Sequence, residues 1–195
     1  MGAKGEETRA RLVQATRALI EAQGYYGTGL NQVLAASGAP RGSLYFHFPL
    51  GKDEMVALAL VEAGEDVGAL IAGMTGGDLG PAEVVRGLLD ILGDRMAESD
   101  YATGCPIATV ALETAAGHEE LRTVCAAAYD TWQLALTRML VRHGHDRADA
   151  DATAGAVLAL VEGALLLARV RHSRTPLDQA ARAADILLGA TAPAR

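Results

Sequence analysis

Aromatic side chains are scarce in this chain: five Tyr, two Phe and one Trp in 195 residues. Sheet-based folds draw on aromatic and β-branched residues, whereas Ala and Leu predominate here, and both propagate helix at little cost. The expectation is an all-α protein. Cysteine is nearly absent too, and Cys105 and Cys125 do not make the framework of a secreted disulfide-bonded domain. No charged-then-apolar leader opens the sequence. The most apolar stretch, 152–170, is interrupted by Glu162 and Arg169, so it falls short of the ~18–20 clean apolar residues that span a bilayer. These absences point to a soluble, cytoplasmic protein with no membrane partner.

Catalytic signatures are missing as well. The chain shows no nucleophile–base set, no phosphate-binding loop and no metal motif, so no cofactor, metal or catalytic residue is expected. His143, His145, Asp146, Asp149 and Asp151 imitate a metal cluster, but their spacing imposes no ligand geometry and a solvated loop explains them. Cys105 stands at an expected helix N-terminus, where the dipole favours a thiolate; a redox role and a plain buried thiol both remain open. An all-helical enzyme or small-molecule carrier is the lesser alternative.

What is present is an uneven charge. The chain is acidic, with net charge -7. Residues 1–52 nevertheless hold six basic side chains (Lys4, Arg9, Arg11, Arg17, Arg41, Lys52) and three acidic ones, a balance of +3, leaving -10 for the remainder. A basic N-terminal module on an acidic body suits a protein that meets phosphates at one end.

Periodicity and turn residues divide the chain into about nine helices. The first spans Glu6 to Gln23, with Gly24 as its stop, and the second Leu30 to Ser37. Gly38 supplies a left-handed end, and Pro40 fixes the entry to a third helix at Arg41 to Phe46. A fourth runs from Lys52 to about Ala72, a fifth from Pro81 to near Ser99, and a sixth from Cys105 until Gly117 stops it. The seventh covers His118 to His143, the eighth Ala150 to His172 and the ninth Pro176 to Gly189. The resulting expectation is a three-helix helix-turn-helix DNA-binding domain at 1–50 and a helical bundle at 51–195.

The segment from Leu30 to Lys52, LNQVLAASGAPRGSLYFHFPLGK, carries the helix-turn-helix pattern. In that geometry the second helix of the pair offers its N-terminal residues to base edges. Arg41 would make bidentate bonds to guanine or hold a phosphate, Gly42 would allow close backbone approach, and Ser43 would touch a base edge. Tyr45, His47 and Lys52 would reach phosphates, and Leu44, Phe46 and Phe48 read as packing residues. Singly, each also has an ordinary reading, as a solvated helix start, a core tyrosine or a surface histidine.

The combination of Thr28, AASGAPRGSLYFHF and GKDEM closely resembles the N-terminal domain of the TetR/AcrR family of transcriptional repressors, over roughly residues 8–60. The resemblance implies a phosphate contact for the Thr28 hydroxyl. It also implies base-facing positions for Arg41, Gly42 and Ser43, and backbone clamps at Tyr45, His47 and Lys52. Gly29 departs from the Ser or Thr common at that cap and removes one possible phosphate contact. GCPIATVALE (104–113) and VEGALLLARV (161–170) are similar to the LmrA/YxaF-type branch, whose known repressors respond to drugs or flavonoids.

The resemblance therefore implies a homodimeric, ligand-responsive repressor that binds a palindromic operator and is released by a small hydrophobic or aromatic effector. It assigns ligand binding and dimerisation to the bundle at 51–195. A TetR-like activator or ligand-independent regulator is the alternative. Tyr129 and Trp132 share a helix face, and with Met96, Tyr101, Cys105 and Met139 they are candidates to line the effector pocket, or else ordinary core. Gly155, Ala159 and Gly163, with Leu165, Leu166, Leu187 and Leu188, are the candidate dimer contacts.

Overall fold

The computed structural model describes residues 3–190, and among them nine α-helices and no strand appear. They are α1 (Ala3–Gly27), α2 (Leu30–Ser37), α3 (Arg41–His47), α4 (Lys52–Thr75) and α5 (Pro81–Glu98), then α6 (Pro106–Thr114), α7 (Glu119–Arg142), α8 (Arg147–Arg171) and α9 (Thr175–Ala190). The expected all-α, nine-helix reading holds. Local chemistry sets the ends. Gln32 Oε1 accepts the Gly29 N–H at 2.8 Å ahead of α2, and Asp146 accepts the Ala148 N–H at 2.8 Å to start α8 three residues earlier than periodicity suggests.

The chain forms two compact units, one of residues 1–65 and 105–128, the other of 66–104 and 129–195. This division by contacts differs from the expected division by role at residue 50, because α4 and α7 each run through both units. In the first unit, α1 packs on α2, α3 and α6 around Leu12, Val13, Ile20, Val33, Leu44, Phe48, Leu60 and Ile107, all with no exposure. In the second, α9 lies against α5 and α8, enclosing Val85, Leu89, Leu136, Val157, Leu177 and Ala184.

Helix α8 has the length and mean hydropathy, 1.7, of a membrane span, whereas its 152–170 stretch is expected from sequence to fall short. Its apolarity has an internal use. Ala150, Ala154, Val157, Val161, Ala164, Leu165 and Ala168 are buried along one side, as expected of a core helix in a bundle. Leu165 and Leu188, expected at a dimer contact, are 6% and 5% exposed, so both belong to the core of their own unit. Leu166, by contrast, is 54% exposed.

Candidate nucleic-acid interface

Helix α3 has two sides. Leu44 and the residue that ends the helix, Phe48, are fully buried, whereas Arg41, Gly42, Tyr45 and Phe46 are exposed. Positions 41 and 45, and 42 and 46, stack one turn apart, so the four make one outward strip. Ser43 is half-buried beside it. A groove lined by Gly29, Leu30, Asn31, Gln32, Leu34, Arg41, Leu44 and Tyr45 separates α3 from α2.

The turn between these helices is fixed by its own chemistry. Gly38 is left-handed (φ 62, ψ 18) and its N–H returns to the Leu34 carbonyl, while Ser37 Oγ accepts the Ala39 N–H at 3.2 Å. Among the described residues no carboxylate pairs with Arg41, which leaves its fork of donors for a base or phosphate. A Cβ at Gly42 would meet nothing within 4 Å; any crowding there would come from a bound partner. His47 is half-buried, with Nδ1 shielded and without a hydrogen bond among the described residues.

Phe46 departs from expectation. Residue type groups it with Leu44 and Phe48 as packing, yet it is 72% exposed. Helical phase explains the difference: a residue two positions from both buried neighbours stands ~200° around the helix from each.

Thr28 and Lys52, both expected as phosphate contacts, lie at a break in α1. Gly24 adopts φ 74, ψ -176 inside that helix, so nearby backbone groups lose their helical partners and must be satisfied otherwise. Thr28 Oγ1, on a residue 2% exposed, donates to the Gly24 carbonyl at 2.7 Å. The Lys52 ammonium donates to the Tyr25 carbonyl at 2.7 Å and lies 3.9 Å from the Tyr25 ring centroid. Burial pushes its pKa down. Glu113, from α6, accepts the Tyr26 N–H through Oε2 at 3.1 Å. In this conformation all three side chains hold the α1 corner.

Around the same corner, the Tyr25 hydroxyl donates to Asp53 Oδ1 at 2.5 Å. His118 Nδ1 stands 3.6 Å from Asp53 Oδ2, and its ring lies 4.9 Å from that of Tyr25. Sequence reasoning missed Tyr25, Asp53 and His118. Their partners are 28 to 93 residues apart, beyond any local pattern. Burial, then the hydrogen bond to Asp53, pushes the Tyr25 phenol above its ordinary pKa.

A raised acid pKa stabilises the fold while the unfolded phenol is still protonated, below about pH 10, and that stabilisation is lost as pH climbs past it. Tyr25→Phe should therefore cost about 1 kcal/mol at neutral pH and flatten the decline in stability above about pH 10. Urea unfolding of both proteins across that range checks this. Parallel declines would refute the assignment.

The regulatory candidates fall into different settings. Met96, Trp132 and Met139 are at most 3% exposed, and Tyr129 is half-buried with its ring edge-on to Trp132 at 5.3 Å. Tyr101 has φ 58 and its ring lies 6.1 Å from that of His172. Cys105 belongs to the first compact unit, where its sulfur accepts the Ala108 N–H at 3.5 Å and caps α6. Cys125 is buried, its thiol pushed up to about 11 by desolvation. Neither cysteine forms a disulfide. Among the described residues no three His, Cys, Asp or Glu side chains converge as a metal site.

Comparison with known proteins agrees with the geometry of α2 and α3. Residues 12–59 match the bacterial regulatory proteins of the tetR family, and residues 81–183 match the LmrA/YxaF-like transcriptional regulator C-terminal domain. The HTH-type transcriptional regulator LmrA of Bacillus subtilis is 35% identical over 171 residues, covering 88% of this chain and 91% of that protein. An uncharacterized HTH-type regulator of Mycobacterium tuberculosis, Rv0196, is 36% identical over 194 residues, covering 96% and 97%. A crystal structure of a TetR transcriptional regulator from Chloroflexus aurantiacus superposes with a TM-score of 0.80 at 29% identity, covering 96% of this chain and 97% of that one. The chain belongs to the TetR family of DNA-binding transcriptional regulators, with a C-terminal domain of the LmrA/YxaF-like type.

Proposed function

We propose that this regulator is a cytoplasmic, ligand-responsive repressor that binds a palindromic operator as a homodimer and is released by a small hydrophobic or aromatic effector. The observation that carries the DNA half is the outward strip of Arg41, Gly42, Tyr45 and Phe46 on a helix whose other side is anchored by Leu44 and Phe48. A helix of seven residues makes few base contacts, and two copies related by a twofold axis would read two half-sites. Residues 1–50 would act as the reader, and 51–195 as the part that senses ligand and dimerises.

The second copy would dock on α8 and α9. Their exposed apolar residues Leu166, Leu167, Val170 and Ile186, with Ala159 and the small Gly155 and Gly163 beside them, suit close helix approach. The half-buried Leu187 completes that face. For the effector, Tyr129 and Trp132 on α7 offer an aromatic corner. The same helix begins next to His118, which faces Asp53, and α6 holds the α1 corner through Glu113. An effector that shifted the start of α7 or the end of α6 would thus act on the elements that position the reader. A 100-fold preference of effector for the DNA-free form supplies about 2.7 kcal/mol to that shift.

Fluorescence anisotropy with the DNA upstream of the chain's own gene tests this reading. Two protomers should bind one palindrome, and a panel of flat aromatic compounds, flavonoids included, should contain at least one that releases it. Binding with no preference for a palindrome would overturn the operator reading, and no release across the panel would overturn the effector class. Activation in place of repression would show as an operator upstream of the promoter rather than overlapping it.

A further inference from the structure

We propose that Arg9 and Arg11 of α1 are phosphate anchors that grip the DNA backbone beyond the two ends of α3. The inference rests on α3 being the reader. The basic residues of the N-terminal segment differ in their partners. Arg17 is paired with Glu21 at 3.1 Å. Lys52 is half-buried on the Tyr25 carbonyl, and Thr28 has turned its hydroxyl inward. Two side chains expected on phosphate are thereby engaged inside the protein. The cations without a carboxylate partner among the described residues include Arg9, Arg11 and Arg41.

Arg9 and Arg11 lie near opposite ends of α3. The Arg9 guanidinium carbon is 5.4 Å from the ring centroid of Phe48, the residue directly after α3. Arg11 is exposed, with Nη1 4.0 Å from where a Cβ of Gly38 would stand, at the turn that leads into α3. Its Nη2 donates to the Thr8 hydroxyl at 3.5 Å. Residues two apart on a helix leave it ~200° apart, so the two side chains pass α3 on different sides. A seven-residue helix is ~10 Å long, and a B-form major groove is ~12 Å wide. Cations just past both ends of such a helix stand where the bordering backbones pass.

Arg9 is also held in place. A guanidinium over an aromatic face keeps its plane fixed, and its edge N–H groups remain open to an anion. Phe48 is fully buried, so the ring that holds Arg9 is itself immobile. The bland alternative is that Arg9 merely covers Phe48. Arg9→Met separates the two, because it retains an apolar cover and removes the charge. Arg11→Met carries no such ambiguity, since Arg11 is exposed.

The experiment measures anisotropy of the full chain with two duplexes, an operator selected from random DNA and an unrelated sequence of equal length, from about 50 to 200 mM salt. Arg9→Met and Arg11→Met should each weaken binding to both duplexes by the same factor, about five- to tenfold, with the preferred sequence unchanged. The slope of log affinity against log salt should fall by about 0.9 for each phosphate that the protein no longer neutralises. Thermal melting should stay close to that of the parent protein. Unchanged slopes and affinities for both variants, beside an Arg41→Ala protein that has lost the operator, would overturn the inference and leave the reader standing. An Arg41→Ala protein that still prefers the operator would remove the reader, and this inference with it.

Discussion

Arg41→Ala and Tyr45→Ala are each expected to abolish operator binding at physiological salt while leaving the fold intact. Both side chains lie on the outward strip of α3, and Tyr45 is 60% exposed, so truncation removes little internal packing. The effect falls on DNA. A bidentate Arg–guanine pair is worth about 1–3 kcal/mol, and a twofold dimer loses it twice. A loss of about 2–6 kcal/mol corresponds to roughly 30-fold to more than 10⁴-fold in affinity. For Arg41 the loss should fall mainly on the operator, and for Tyr45 more evenly on all DNA, since a phenol reaching phosphate carries no sequence information. Gel-shift titration with operator and unrelated duplexes, beside circular dichroism of each variant, checks both statements. Unchanged DNA affinity in both proteins would refute α3 as the reader. Leu44→Ala is the informative contrast: at zero exposure it should cost about 2–5 kcal/mol of stability, losing DNA through unfolding rather than through a missing DNA-facing group.

The contrast between Leu44 and Phe46 shows how far the sequence was legible. The end of α2 and the start of α3 are where turn chemistry places them, because Gly38 and Pro40 act within a few residues of their own position. The helix-turn-helix was legible for the same reason, since it concentrates its chemistry in one short segment. Burial was less so. Alternation on a short helix does not say which face the rest of the chain covers, and residue type alone puts Phe46 in the core.

Leu165 and Leu166 make the same point on α8. Adjacent leucines point in directions ~100° apart, and only the placement of α5 and α9 decides which is inside. Thr28 and Lys52 illustrate a third cause. Their side chains are directed by a backbone break at Gly24 that resembles, in sequence, an ordinary helix stop. The contacts of Glu113 and His118 were illegible throughout, because each crosses more than sixty residues of intervening chain.

That break carries the other large expectation. At φ 74, ψ -176, Gly24 occupies a region essentially closed to residues with a Cβ, where occupancy costs about 1–3 kcal/mol. Gly24→Ala should destabilise the chain near the upper end of that range, lowering the melting temperature by roughly 6–12 °C in a protein of this size. A Cβ there would also overlap the Glu113 carboxylate. Since that carboxylate ends a flexible side chain, it can swing aside, so the steric share of the cost is small. The consequence is the loss of its bond to the Tyr26 N–H. Glu113→Ala removes the same bond without straining the backbone, and should cost about 1 kcal/mol.

A double-mutant cycle then separates the two contributions: Gly24→Ala should cost less in the Glu113→Ala background than in the parent, by a few tenths to about 1 kcal/mol. If the α6–α1 clamp carries the effector signal, Glu113→Ala should retain operator binding but respond more weakly to effector. A full response in that variant would place the coupling elsewhere, with the His118–Asp53–Tyr25 contacts as the remaining link from α7. A Gly24→Ala protein that melted with the parent would show instead that the α1 corner does not depend on this backbone geometry, and the roles assigned to Thr28, Lys52 and Glu113 would fall together.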